Sequence, residues 1–180
     1  MRKVIVLPYD EQWLSLFAEE ADELKKILSE EVVSIHHFGS TSIPRLEAKP
    51  IIDILAVVKD ITLIENYNEK LQVLGYEGKG ENGIPGRRYF QKGGDDRTHH
   101  LHVYRIGSPE IERHLTFRDY LRTHSIVRKE YGELKRRLSQ KFPYDIESYI
   151  KGKEELALKI QEEALAWHSN QLNTKMKGGE

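Results

Sequence analysis

The chain has 180 residues, 38% of them hydrophobic and 32% charged, with a formal net charge of −1 and no cysteine. That length suits one domain with a proper core, and the composition suits a globular protein rich in solvated helices. The missing thiols exclude disulfides, thiolate catalysis and cysteine-ligated metals and favour a cytoplasmic protein; no apolar run approaches a membrane span, and Met1–Pro8 is too short for a signal peptide.

Asp10 is placed to cap a first helix whose Trp13, Phe17, Ala21, Leu24 and Leu28 share one face. A buried strand is expected over Val32–Phe38, then a Gly39-Ser-Thr turn and a short crossover, then a second buried strand over Ile51–Val58. A helix follows near Leu63–Leu74, with Leu63, Tyr67, Leu71 and Leu74 as its apolar positions and Gly75 ending it. Arg87–Gln91 and Thr98–Arg105 read as strands around Gly93-Gly-Asp-Asp96, a stretch of hairpin-loop composition.

Three helices complete the chain. Ser108-Pro109 starts the first, which runs to about Thr123. Ser125 caps the second, with Val127, Tyr131, Leu134 and Leu138 on one face; Asp145 caps the third, with Tyr149, Leu156, Ile160, Ala164 and Trp167 inward. The fold class is therefore α+β: a mixed β-sheet with flanking helices, then a helical C-terminal third. Residues 1–168 form the single domain, and residues 169–180 read as a flexible tail from charge, glycines and terminal position.

Charge is distributed unevenly. Asp10–Glu31 holds eight acidic and two basic residues, Arg87–Arg105 five basic and two acidic, and Glu112–Lys153 eleven basic and six acidic. A basic second half in a near-neutral protein attracts a phosphorylated ligand, although solvated helix faces account for most of these residues. Nucleic-acid binding is not indicated by this balance.

Four constellations can carry chemistry. Gly39 after a strand lets the backbone approach an anion, and Ser40 and Thr41 add hydroxyl donors; the same tripeptide also serves as a plain strand-ending turn. Lys49 is either a point charge for phosphate or a surface residue. Asp53 stands alone in Ile51-Ile-Asp-Ile-Leu-Ala-Val-Val58, where a carboxylate needs a dedicated partner, either a divalent metal or an ion pair. His100 and His102 are two apart on a strand and share a face, so they can join Asp53 as metal ligands, act on a proton or phosphate, or form a polar pair. His99 points the other way, and His37, on the parity of Gly39, can orient the turn. Arg88, Arg118 and Arg122 supply guanidinium forks, Arg118 and Arg122 on one helix face, and Lys135 extends the stripe from Arg128; each is equally readable as a structural ion pair.

These residues resemble a known family. His37-Phe-Gly-Ser-Thr-Ser-Ile-Pro44, Lys49-Pro-Ile-Ile-Asp-Ile54, Arg88-Tyr-Phe90, His100-Leu-His-Val103 and Phe117-Arg-Asp-Tyr-Leu-Arg122 look like the signature blocks of the GrpB family. Pro8-Tyr-Asp-Glu-Gln-Trp13, Tyr131 with Lys135, and Tyr149 match in order, so the resemblance reaches about Trp167. It implies a nucleotidyltransferase-like fold of the DNA polymerase beta type. In that superfamily a Gly-Ser turn holds the triphosphate, two alternating carboxylates on the next strand hold Mg²⁺, and a third carboxylate comes from a later strand. Gly39, Ser40 and Asp53 match; Ile51 and Leu55 stand where the paired carboxylate belongs, and Thr98–Arg105 holds no acid.

The resulting expectation is a metal-dependent, nucleotidyltransferase-like protein that binds a nucleoside triphosphate. Asp53, His100 and His102 would form the catalytic and metal-binding set, for Mg²⁺, Mn²⁺ or a softer ion. Gly39, Ser40, Thr41, Lys49, Arg88, Arg118 and Arg122 would hold the nucleotide phosphates. The alternative is a non-catalytic module for a nucleotide or phosphometabolite that has lost the second carboxylate; a hydrolytic metal site is the third reading.

Overall fold

A computed structural model describes residues 3–177. The elements in chain order are α1 Gln12–Leu28, β1 Val32–Phe38, β2 Ile52–Val58, α2 Asn68–Val73, β3 Tyr76–Gly78, β4 Arg87–Lys92, β5 His99–Arg105, α3 Pro109–Thr123, α4 Ser125–Lys141 and α5 Ile146–Lys177. The five strands form one sheet in the order β1-β2-β5-β4-β3, with β2 and β5 parallel and every other pair antiparallel. The mixed sheet and helical last third are those expected from the sequence, and the expected bounds of β1 coincide with the observed ones. The link from β1 to β2 is not a crossover, because the two strands run antiparallel as neighbours.

Local chemistry explains the other departures. The helix expected near Leu63–Leu74 is a 3-10 segment, Ile61–Tyr67, followed by the short α2. Ile61, Ile64 and Tyr67 recur every third residue and all pack on the core, the period of a 3-10 helix. Asp60 starts it by accepting from the Thr62 amide at 2.9 Å and hydroxyl at 2.7 Å. Ser125 begins α4 rather than capping it: His124 holds the cap position and makes no side-chain cap bond. Asp145 does cap α5, accepting from the Ser148 amide at 3.0 Å. That helix continues through residues 169–177 of the expected tail; residues 178–180 lie outside the described residues.

Strand alternation divides the sheet into two faces. Ile52, Ile54, Ala56, Val58, Leu101, Val103 and Phe90 face α1, the 3-10 segment and α2, and form the main core with Trp13, Leu24, Leu28, Ile64 and Leu71. The opposite face carries Phe38, Leu55, Val57 and Tyr104, which pack with Ile111 and Leu115 of α3. Asp53, His100 and His102 belong to this second face by register, since Asp53 pairs with His100 and Leu55 with His102. A third cluster joins Ile43 and Leu46, from the loop after β1, to Tyr120, Leu121, Tyr131, Ile160 and Ala164 of the helical third. The Gly-Ser turn is thereby wedged between sheet and helices.

Candidate functional site

Gly39 has φ +68° and ψ −173°, a region only glycine occupies without strain. It is also packed against the strand carboxylate. A Cβ built on Gly39 would overlap Asp53 Oδ2 and stand 3.0 Å from Asp53 Cβ and Cγ. The turn and the strand aspartate are therefore one unit, and the glycine is required by both its torsions and the contact. After it, Ser40–Ser42 form one 3-10 turn closed by Ser42 Oγ donating to Gly39 O at 2.6 Å.

Thr41 is buried under the turn. Its hydroxyl donates to Ile51 O at 3.3 Å and lies 2.9 Å from His37 Nε2. With the hydroxyl proton on Ile51 O, His37 Nε2 is the donor to Thr41. Burial pushes His37 down to about 4; the Arg122 and Arg118 charges act in the same direction and Asp53 opposes them. Its ring stacks on Phe17 of α1 at 4.7 Å.

Asp53 accepts from His100 Nδ1 at 3.2 Å, and His102 Nε2 lies 4.0 Å from the same oxygen. Burial pushes the Asp53 carboxyl up, but the His100 hydrogen bond and the charges of His100, His102 and Lys49 prevail and hold it below the usual range. About a quarter of the side chain, 26%, remains exposed. Arg87 NH1 lies 3.3 Å from His102 Nδ1, and a guanidinium can only donate. His102 Nδ1 is therefore a lone pair and Nε2, facing Asp53, carries the proton. Arg87 is fixed in this role by donating to Glu81 O at 3.0 Å and Asn82 O at 2.7 Å. Burial, before any charge, pushes His102 down to about 3.

The structure adds His114 and Lys153, which the sequence does not single out, to Lys49 and Lys135, which it does. His114 of α3 stands 5.8 Å from the His102 ring, with Nε2 3.2 Å from Tyr104 Oη, and burial pushes it down to about 3. Lys135 of α4 is only 2% exposed, and its Nζ donates to Ser40 Oγ at 2.8 Å. Burial pushes its pKa well down, helped by the Lys153 and Lys49 charges against Glu47 and Asp53. Lys153 of α5 is pushed down by burial and back up by Asp53, so the two charges are neighbours. Lys49 acts on the same carboxylate and sits 5.5 Å from the Tyr149 ring. Lys135 thus contacts Ser40 directly, while Lys49 and Lys153 act on the Asp53 carboxylate through their charge. The open hollow of about 490 Å³ lined by Arg45, Ile126 and Arg136 includes none of these groups.

The three expected arginines are placed differently. Arg118 NH1 donates to His37 O at 3.0 Å, and Arg122 donates through NH2 and Nε to Ser42 O at 2.8 and 3.1 Å. Both also contact Asp119, at 2.7 and 3.7 Å. They brace the backbone at either end of the turn. Arg88 is not with Asp53 at all: β4 alternation puts it on the opposite sheet face, where its Nε donates to Glu65 Oε1. Arg87, its neighbour, takes the Asp53 face.

Asp53, His100 and His102 offer three potential ligand atoms within 4.8 Å of one another, the one such group among the described residues that includes Asp53. The donor set nevertheless fits a divalent ion poorly. The second carboxylate position is Leu55, fully buried. Arg87 holds the Nδ1 lone pair of His102, whose Nε2 presents an N–H to Asp53, so of the two imidazoles only His100, through its buried and unpartnered Nε2, keeps a lone pair.

A family model described as GrpB protein matches residues 3–163. UPF0157 protein YqkA of Bacillus subtilis is 49% identical over 172 residues, 96% of this chain and 50% of that protein. The chain thus spans half the length of that relative. The crystal structure of conserved protein GrpB from Enterococcus faecalis superposes with a TM-score of 0.88 at 44% identity, covering 91% of this chain and 99% of the other. A structure of Cid1 in complex with its short product ApU matches with a TM-score of 0.51 at 14% identity, covering 72% of this chain and 42% of that one, a likeness of fold. The fold is nucleotidyltransferase-like, and the chain belongs to the GrpB family.

Proposed function

We propose that this chain binds a nucleoside triphosphate, or a phosphometabolite of similar charge, by its phosphates at the Gly39–Ser40 turn. One observation carries the reading. Lys135 is buried, and among the described residues its ammonium has a single hydrogen-bond partner, the neutral Ser40 hydroxyl. A buried ammonium without a carboxylate is expensive, and an anionic ligand is the group that would offset it. A polyphosphate there would meet the Lys135 ammonium, the Ser40 hydroxyl and the close backbone approach that Gly39 permits, with the charges of Lys49 and Lys153 acting on Asp53 beside the turn. Arg118 and Arg122 would position the turn rather than touch the ligand.

The likeness of fold to Cid1, whose structure was solved with ApU, supports a nucleotide as the ligand class. Binding is favoured over metal-assisted transfer because Leu55 fills the second carboxylate position and Arg87 holds the His102 lone pair. A cytoplasmic setting and a small phosphorylated partner belong to the same proposal.

Thermal unfolding of the protein with ATP, UTP and inorganic triphosphate tests it. A ligand present at 100 times its Kd stabilises the folded state by about 2.7 kcal/mol, a shift of a few degrees. Stabilisation by triphosphates that Ser40→Ala weakens is the expected result. Melting unchanged by every triphosphate at millimolar concentration would overturn the reading.

A further inference from the structure

The Asp53 centre carries a conflict between what its residue types suggest and what its hydrogen bonds permit. One aspartate and two histidines within 4.8 Å have the composition of a metal site. For His102 to ligate through Nε2, its Nδ1 would have to carry the proton, which would then point at the Arg87 N–H only 3.3 Å away. Arg87 cannot turn aside without abandoning Glu81 O and Asn82 O, and it is itself buried. His100 donates its Nδ1 proton to Asp53 Oδ1, which uses that nitrogen and that oxygen and leaves the buried His100 Nε2 as the single available lone pair of the two rings, too few donors for a divalent ion. Asp53 Oδ2 lies against Gly39, where a Cβ would overlap it. The neighbouring charges are already positive: Arg87 on one side, and Lys49, Lys135 and Lys153 on the other.

We infer that this centre is metal-free, with Lys49, Lys135 and Lys153 neutralising the phosphates that a divalent ion would otherwise bridge. The inference rests on the phosphate-binding reading for its ligand but not for its claim about metals. Asp53 then acts as a fixed anion. It accepts from His100 and lies against Gly39, and its charge acts on Lys49 and Lys153. A triphosphate free of Mg²⁺ carries more negative charge than its Mg²⁺ complex, and three ammonium groups suit the metal-free form better.

Two measurements on the full chain separate the claims. Mn²⁺ alone is titrated with detection of free ion by electron paramagnetic resonance, and Zn²⁺ alone by calorimetry, with wild type and Asp53→Asn in parallel. No Asp53-dependent binding below about millimolar is expected; micromolar binding that disappears in Asp53→Asn would overturn the inference. ATP is then titrated in EDTA and in excess Mg²⁺. Affinity in EDTA equal to or tighter than in Mg²⁺ is expected, and a tenfold or greater weakening in EDTA would overturn it. Failure of ATP to bind in either buffer would count against the phosphate reading, while the metal titrations would still decide whether the centre is metal-free.

Discussion

Substituting Gly39 by alanine tests the union of the turn with Asp53. Two costs combine. The backbone at φ +68° and ψ −173° is open to glycine and costs other residues about 1–3 kcal/mol. The new methyl would also overlap Asp53 Oδ2, and the carboxylate must move off His100, losing a charged hydrogen bond worth about 1.5–3 kcal/mol. The sum, about 2.5–6 kcal/mol, is a large part of the ~5–15 kcal/mol that holds a typical domain folded. Urea unfolding followed by circular dichroism reads it directly. With a slope of about 2 kcal/mol per molar, the midpoint should fall by roughly 1–3 M. The double variant Gly39→Ala/Asp53→Ala should lose about 1.5–3 kcal/mol less than the sum of the two single losses, because the His100 hydrogen bond can be lost only once while the torsional strain stays. A midpoint within about 0.25 M of wild type, or strict additivity in the double variant, would refute the contact as described.

The remaining expectations follow from the same geometry. Lys135→Met should leave stability unchanged or raise it while weakening triphosphate binding at least tenfold, since it removes a buried charge that lacks an ion pair; a loss of more than about 2 kcal/mol in urea would show that the lysine serves the fold instead. Arg122→Ala should cost about 1–3 kcal/mol by orphaning Ser42 O, whereas Arg88→Ala should cost at most about 1 kcal/mol and leave triphosphate affinity alone, because Arg88 pairs with Glu65 on the other sheet face. Equal losses of affinity in Arg88→Ala and Lys135→Met would contradict the assignment of faces. His37, His102 and His114 are held near 4, 3 and 3, so the folded state keeps them neutral while the unfolded chain takes up protons below about 6.5. Their contribution is fully present above that pH and is lost as pH falls from 6.5 toward 4. Each histidine contributes up to about 1.4 kcal/mol per pH unit in that window; urea stability that is flat between pH 6.5 and 5 would contradict their burial.

Much of this architecture is written locally in the chain. Val32–Phe38 is rich in β-branched and aromatic residues, and Ile52–Val58 is apolar but for Asp53, so their strand character needs no tertiary information. The i, i+2 spacing of His100 and His102 places both on one face whatever the sheet order, and Asp53 lies beside them because β2 and β5 pair in parallel. Which arginine of Arg87-Arg88 shares that face is not local: it depends on the β4–β5 register, which pairs Tyr89 with His102 and sends Arg88 to Glu65. The turn arginines were visible as a helix stripe, yet whether a guanidinium meets phosphate or a carbonyl is decided by how α3 docks beside β1. Lys153 lies in Lys151-Gly-Lys-Glu-Glu155, which reads as an exposed helix face. Its burial is produced by α5 packing close to α4, with Gly152 facing Leu138. His114 likewise has no distinguishing neighbours in sequence, and only the packing of α3 over Phe38 and Tyr104 brings it to His102.

The phosphate site at Ser40 and Lys135 is most directly tested by calorimetric titration of ATP into wild type and Lys135→Met side by side in EDTA. The account predicts saturable, exothermic one-to-one binding to wild type that weakens tenfold or more in the variant while both proteins remain folded. Identical titrations for the two proteins, whether both bind or neither does, would contradict it.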